Sequence, residues 1–198
     1  MTTNEQDIID FWETFMEAKD ELEVLDTAES PVYDRILDSL GKINEELYFE
    51  YCPNPGASEL IITADGNAEL FDLVDDIVAR APAVNGWSFF ALKPKHGLPE
   101  STDWDDLQID SEEVYYQLLR REGSSELGLQ LFVVDLPEED FEAAHNALLR
   151  MIDAYLGERR FAESISQTWI QSISKDETSD HFPLNQLEDQ LDSLLPAS

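Results

Sequence analysis

Few residues in this 198-residue chain could do chemistry, and their spacing restricts what that chemistry could be. The three histidines, His96, His145 and His181, stand far apart, with no HExxH or other paired-histidine spacing. A zinc site would have to be assembled by the fold alone. His145, beside Phe141 and Leu148, is expected at a helix edge or core boundary. Asp103, Asp105, Asp106 and Asp110 crowd around Trp104. Such carboxylates could hold Ca²⁺ or Mg²⁺, yet the stretch lacks the glycine and closing glutamate of an EF-hand loop. It reads as a solvated acidic loop. Cys52 is the single cysteine, which excludes an intramolecular disulfide and a cysteine-based metal cluster. No histidine lies near it in sequence, so it reads as a free structural thiol. Ser58, Ser88, Ser124 and Ser125 lack a GxSxG context. Asp65-Gly66-Asn67 could present amides to an anion, but one glycine and flanking acids make it a turn. No catalytic residue, metal or cofactor is assigned.

The scarce positive charge is more informative. Half of the twelve lysines and arginines form three clusters: Lys93 with Lys95, Arg120 with Arg121, and Arg159 with Arg160. Each lies at the expected end of an element, where side chains can converge. The candidate ligand-binding residues are therefore Lys93, Lys95, His96, Trp104, Arg120 and Arg159. Converged, they would take an anionic ligand or an acidic segment of this same chain. Internal ion pairing and helix C-terminal charge account for the same cations and are the favoured reading.

The elements that would carry these residues follow from hydrophobic period. Ile8, Phe11, Trp12, Phe15, Leu22 and Leu25 recur at helical spacing over 5–25. Ser30-Pro31 restarts a second helix, with Ser30 as N-cap and Pro31 in the first turn. LYFEYC (47–52) and SELIITA (58–64), parted by a Pro/Gly turn, read as antiparallel strands. Asn67 caps a helix over 68–81, and WSFFALK (87–93) is the next strand, reached by a crossover. Residues 93–104 read as a loop, 107–110 as a short strand, and 113–121 with 127–135 as a long hairpin. The arm over 113–121 is also compatible with a helix, because its acidic start and basic end suit the helix dipole. A helix opens at Pro137 and runs to Gly157, a strand covers 165–171, and a last helix covers 185–195. Asn185 and Glu188 stand at capping-box spacing in that last helix. The expected class is α+β: a mixed, mainly antiparallel sheet of five to seven strands with helices packed on it. One domain is expected over 1–198, with a helical pair (1–44), a sheet-and-helix core (45–175) and a helical tail (176–198).

Composition bounds the partners. Apolar residues make up 42% and aromatics 10%, enough for a globular core. Forty-four acids against twelve bases give a net charge of −32. That field repels phosphates, which argues against nucleic acid and anionic membrane. It suits a basic protein partner, a nucleic-acid mimic, or high salt, where self-repulsion is screened. Residues 1–50 are the most acidic quarter, with fifteen acids and three bases. The opening MTTNEQDIIDFW has neither the basic nor the apolar region of a signal peptide, and no apolar run approaches the length of a spanning helix. The expected location is cytoplasmic.

Two stretches resemble the DUF695-like proteins, a bacterial family of unknown function. They are ELIITADG (59–66) with the following helix and the AP…GW…AL-KP pattern of 81–94, and LLRMIDAYLGERRF (148–161), which closes a helix on Leu-Gly-Glu. The resemblance spans about 45–175 and implies no activity, so no catalytic residue follows from it. Such domains occur beside a small acidic regulator that binds a protein, and the resemblance therefore points toward interaction. The leading expectation is a non-enzymatic protein that binds a basic partner through its acidic surface. The alternatives are an enzyme or small-molecule binder with a site near the 93–104 loop, using Asp103 or Asp106 as acid–base groups, or a charge that reflects high-salt adaptation only.

Overall fold

The computed structural model describes residues 5–24, 30–54, 56–120 and 126–194. It has the α+β class expected, with helices beside mixed sheets. The chain divides into two compact units, 1–93 and 94–198. Among the described residues the strands form three sheets of three, two and four strands.

In the first unit, α1 (Glu5–Leu22) and α2 (Pro31–Gly41) form the expected N-terminal pair. The Ser30 hydroxyl accepts from the Val32 amide at 3.4 Å, the capping that Ser-Pro announces. Strands β1 (Tyr48–Cys52) and β2 (Ser58–Thr63) pair antiparallel, Tyr48 opposite Thr63. Asp65 and Gly66, both at positive φ, turn the chain. Asn67 then accepts from the Glu69 amide at 3.2 Å, opening a 3-10 turn that leads into α3 (Phe71–Ala79). Strand β3 (Trp87–Ala91) lies parallel to β2, Leu60 opposite Phe89. It ends earlier than 93 because Leu92 adopts φ +66 while donating its amide to the Ile62 carbonyl.

The core of this unit is aromatic. Trp12 of α1 meets Phe89 of β3, and Phe15 meets Trp87 and Phe89, edge to face with centroids 4.9–5.4 Å apart, while Phe11 packs edge to face on Trp12 within α1. The Trp12 indole N–H donates to the Ile77 carbonyl at 2.9 Å, pinning α1 to the last turn of α3, where the same carbonyl also accepts from the capping Arg80 amide at 3.2 Å.

In the second unit, β4 (Ser101–Trp104) and β5 (Leu107–Asp110) form a hairpin turning at Asp105, φ +52. The end of the expected 93–104 loop is thus a strand. Its mixed Ser-Thr-Asp-Trp composition hides it, since only pairing with β5 satisfies its backbone. Strands β6 (Val114–Arg120) and β7 (Leu127–Val134) are the long antiparallel hairpin, so 114–120 is strand and not helix, Arg121 lying outside the described residues. Helix α4 (Phe141–Leu156) ends at Gly157, φ +82. A short α5 (Glu158–Ser164) follows, which hydrophobic period did not reveal. Strand β8 (Ile165–Ile173) then lies parallel to β7. A two-residue β9 (Phe182–Pro183) borders β6, giving the order β8-β7-β6-β9 before α6 (Leu187–Leu194).

Leu127, Leu129, Leu131 and Val133 of β7 alternate onto a core with Ala144, Leu148, Met151 and Ile152 of α4. The capping box forms at Ser174 and Glu177, not at Asn185 and Glu188. Pro183 stands at the cap of the last 3-10 turn, and the Glu188 carboxylate meets Lys95 and Arg160 instead.

Candidate functional site

The predicted cations are mostly engaged by carboxylates. In the first unit, Lys93 Nζ lies 3.0 Å from Asp65 and 3.9 Å from Glu50. In the second, Lys95 pairs with Glu188, and Arg160 joins the same carboxylate at 3.2 Å while also pairing with Asp192. Arg159 lies 3.8 Å from Glu163, one helical turn on. Trp104 is capped by the Arg150 guanidinium, 5.7 Å from the ring centroid. His96 is exposed and is held by its backbone amide, which donates to the Ala154 carbonyl at 2.8 Å. Lys95, Trp104 and Arg159 therefore each serve a different neighbour, as internal pairing predicts. Arg120 lines a surface groove considered below, and Arg121 lies outside the described residues.

The remaining reactive groups are turned to structure. His145 Nε2 meets the Thr168 hydroxyl at 2.9 Å, the helix-edge role expected of it. The His181 ring stacks on Phe132, centroids 3.8 Å apart. Burial pushes the Cys52 thiol above its ordinary value, with Glu50 and Glu59 adding to the shift. Such a thiol is protonated at neutral pH and is a poor nucleophile. Tyr116 is fully buried, and burial raises its hydroxyl to about 12, which removes it from acid–base work. Among the described residues no group of three or more His, Cys, Asp or Glu is placed to hold a metal ion.

Two of the surface grooves among the described residues differ sharply in their lining. The first lies along α1 in the first unit, with a volume of about 440 Å³. Its floor is Ile8, Trp12 and Pro82, and Ile9 and Met16 rise from it at 44% and 41% exposure. Residues 9, 12, 13 and 16 share one helix face, so Glu13 and Glu17 form its rim. Arg80, at one end, is tied to Glu5 at 2.6 Å and Asp76 at 3.0 Å. These carboxylates raise the Arg80 guanidinium above its already high value, Asp76 contributing most, so it stays charged and paired.

The second groove, about 610 Å³, lies at one end of the β6-β7-β8 sheet and is lined by Leu119, Arg120, Gly128, Ser166, Gln167 and Trp169 among others. Trp169 is 43% exposed and lies over Gly128, where a Cβ would stand 2.5 Å from its ring.

The α1 groove was not legible in sequence. Ile9 and Met16 look like ordinary members of an amphipathic helix, and only the path of residues 80–82 beside them makes a concavity. No family model, curated protein or solved structure matches this chain. Among the described residues no helix is long and apolar enough to cross a membrane.

Proposed function

We propose that this protein is a non-enzymatic cytoplasmic interaction module that holds a basic, amphipathic segment of a partner protein along α1. The carrying observation is the apolar groove whose exposed Ile9 and Met16 sit directly beside Glu13 and Glu17. An apolar trough with an acidic rim is complementary to a segment that pairs leucine-like anchors with lysine or arginine. Glu5, Asp10, Asp20 and Glu21, also exposed on α1, extend the field that would attract it. The motif resemblance to the DUF695-like proteins agrees with an interaction role and adds no activity.

The test uses a fluorescent lysine/leucine amphipathic peptide and its glutamate/leucine counterpart, titrated against the full chain by anisotropy. The basic peptide should bind, weaken steeply as NaCl rises, and lose at least tenfold affinity in the Ile9→Asp/Met16→Asp variant. The acidic peptide should not bind. Equal binding of both peptides, or basic-peptide binding indifferent to the double substitution, overturns the proposal.

A further inference from the structure

Strand β8 is the longest edge strand of the three sheets, nine residues with β7 on one side and, among the described residues, no strand on the other. An edge of this length exposes a row of backbone donors and acceptors, and proteins normally guard it with charge, proline or a cover. Here the sequence is ISQTWIQSI, without a charged residue or proline in a chain of forty-four acids. The strand also reads nearly the same in both directions about Trp169.

We propose that β8 pairs antiparallel with β8 of a second copy, about a two-fold axis at Trp169, joining two four-stranded sheets into one of eight strands. In that register Gln167 faces Gln171 of the other copy, Ser166 faces Ser172, Ile165 faces Ile173, and the two Trp169 residues meet. Thr168 opposite Ile170 is the single unlike pair. Every position of an antiparallel two-fold meets its mirror position, so this near-palindrome places like beside like, and no like charges oppose one another. The single irregularity of the β7–β8 ladder lies at Ser166, near the strand's start, and leaves 167–173 in regular register. Gln167, Trp169 and Gln171 are all exposed, and a neighbouring Trp169 would cover the apolar surface that now faces solvent.

A second copy fits this edge better than a basic partner does. Strand β8 itself carries no carboxylate, and Glu126 on the groove beside it shares that groove with Arg120, whereas two copies carrying −32 each can approach only where their acids do not meet. The salt response therefore has the opposite sign to that of the α1 groove. Screening relieves repulsion between copies, so self-association tightens as NaCl rises.

Sedimentation equilibrium of the full chain at low and high NaCl tests this. The expected result is a monomer–dimer equilibrium that shifts toward dimer with salt. Gln167→Lys/Gln171→Lys sets lysine against lysine and should weaken the dimer at least tenfold. Gln167→Lys/Gln171→Glu sets lysine against glutamate in the proposed register and should retain it. Both variants change exposed side chains only, and circular dichroism confirms that each is folded. A wild type that stays monomeric at all salt concentrations overturns the proposal. A dimer indifferent to the lysine pair, or broken equally by both variants, overturns it as well.

Discussion

The α1 face and the β8 edge both leave apolar side chains in water, and they are guarded in opposite ways. Ile9 and Met16 stand among carboxylates, whereas Trp169 stands among glutamine, serine and threonine along its own strand, with Arg120 and Glu126 on the groove it lines. An acidic rim rejects another copy of the same acidic chain and admits a cation. An uncharged strand does neither, so its selectivity rests on backbone pairing and side-chain register. Net charge alone would assign both surfaces to the same kind of partner, and local charge separates them.

Four substitutions or conditions break or sharpen that contrast. The largest effect is expected from Phe15→Ala. Phe15 is fully buried against Trp12, Trp87 and Phe89, so its loss should cost about 3–5 kcal/mol. Urea unfolding reads the stability change. Peptide binding should fall with it because Trp12 forms the groove floor, while salt-promoted self-association through β8 persists. Loss of both would break the contrast.

Next is Gly128→Ala, whose Cβ would stand 2.5 Å from the Trp169 ring. The exposed ring must swing away, at a cost of about 1 kcal/mol. A changed tryptophan emission with weaker self-association is the expected readout, with α1 peptide binding unchanged. A Glu13→Gln/Glu17→Gln variant should weaken the basic peptide by about 1 kcal/mol, roughly fivefold, because each exposed pair contributes little. Its salt dependence should flatten too, and β8 association should not change.

The smallest effect concerns Glu177, whose carboxyl is held below its ordinary value, first by the Ser174 amide and then by the Ser174 hydroxyl. A depressed carboxylate contributes stability above its unfolded-state pKa and loses it as pH falls through the folded value. Urea midpoints measured downward through the carboxylate range should therefore show a shallower acid-side decline in Glu177→Gln than in the wild type. Peptide binding and self-association at neutral pH should be the same in both.

Much of the fold was legible because it rests on local rules. Ser30-Pro31 caps α2, Asn67 caps the turn before α3, and the Leu127–Val134 alternation marks β7; each signal is contained in a few adjacent residues. What escaped depends on partners distant in sequence. Strand β4 has no hydrophobic alternation and exists through its pairing with β5. The capping box forms at Ser174 and Glu177, while the Glu188 carboxylate is engaged by Lys95, ninety-three residues away. Lys93, Lys95 and Arg159 are conspicuous in an acidic chain, and which carboxylates each one meets follows only from what the fold brings within reach.

By itself the sequence determined the class, the order of most elements and the acidic field, because periodicity, capping and net charge are properties of neighbouring residues or of sums. Only the tertiary structure decided how strands divide into sheets, which cations are spent on internal pairs, and which apolar residues remain in water. Those outcomes depend on distances between residues far apart in the chain. The acid-rimmed α1 groove and the uncharged β8 edge are of that second kind: one needs residues 80–82 laid beside a helix, and the other needs a strand left at the border of its sheet.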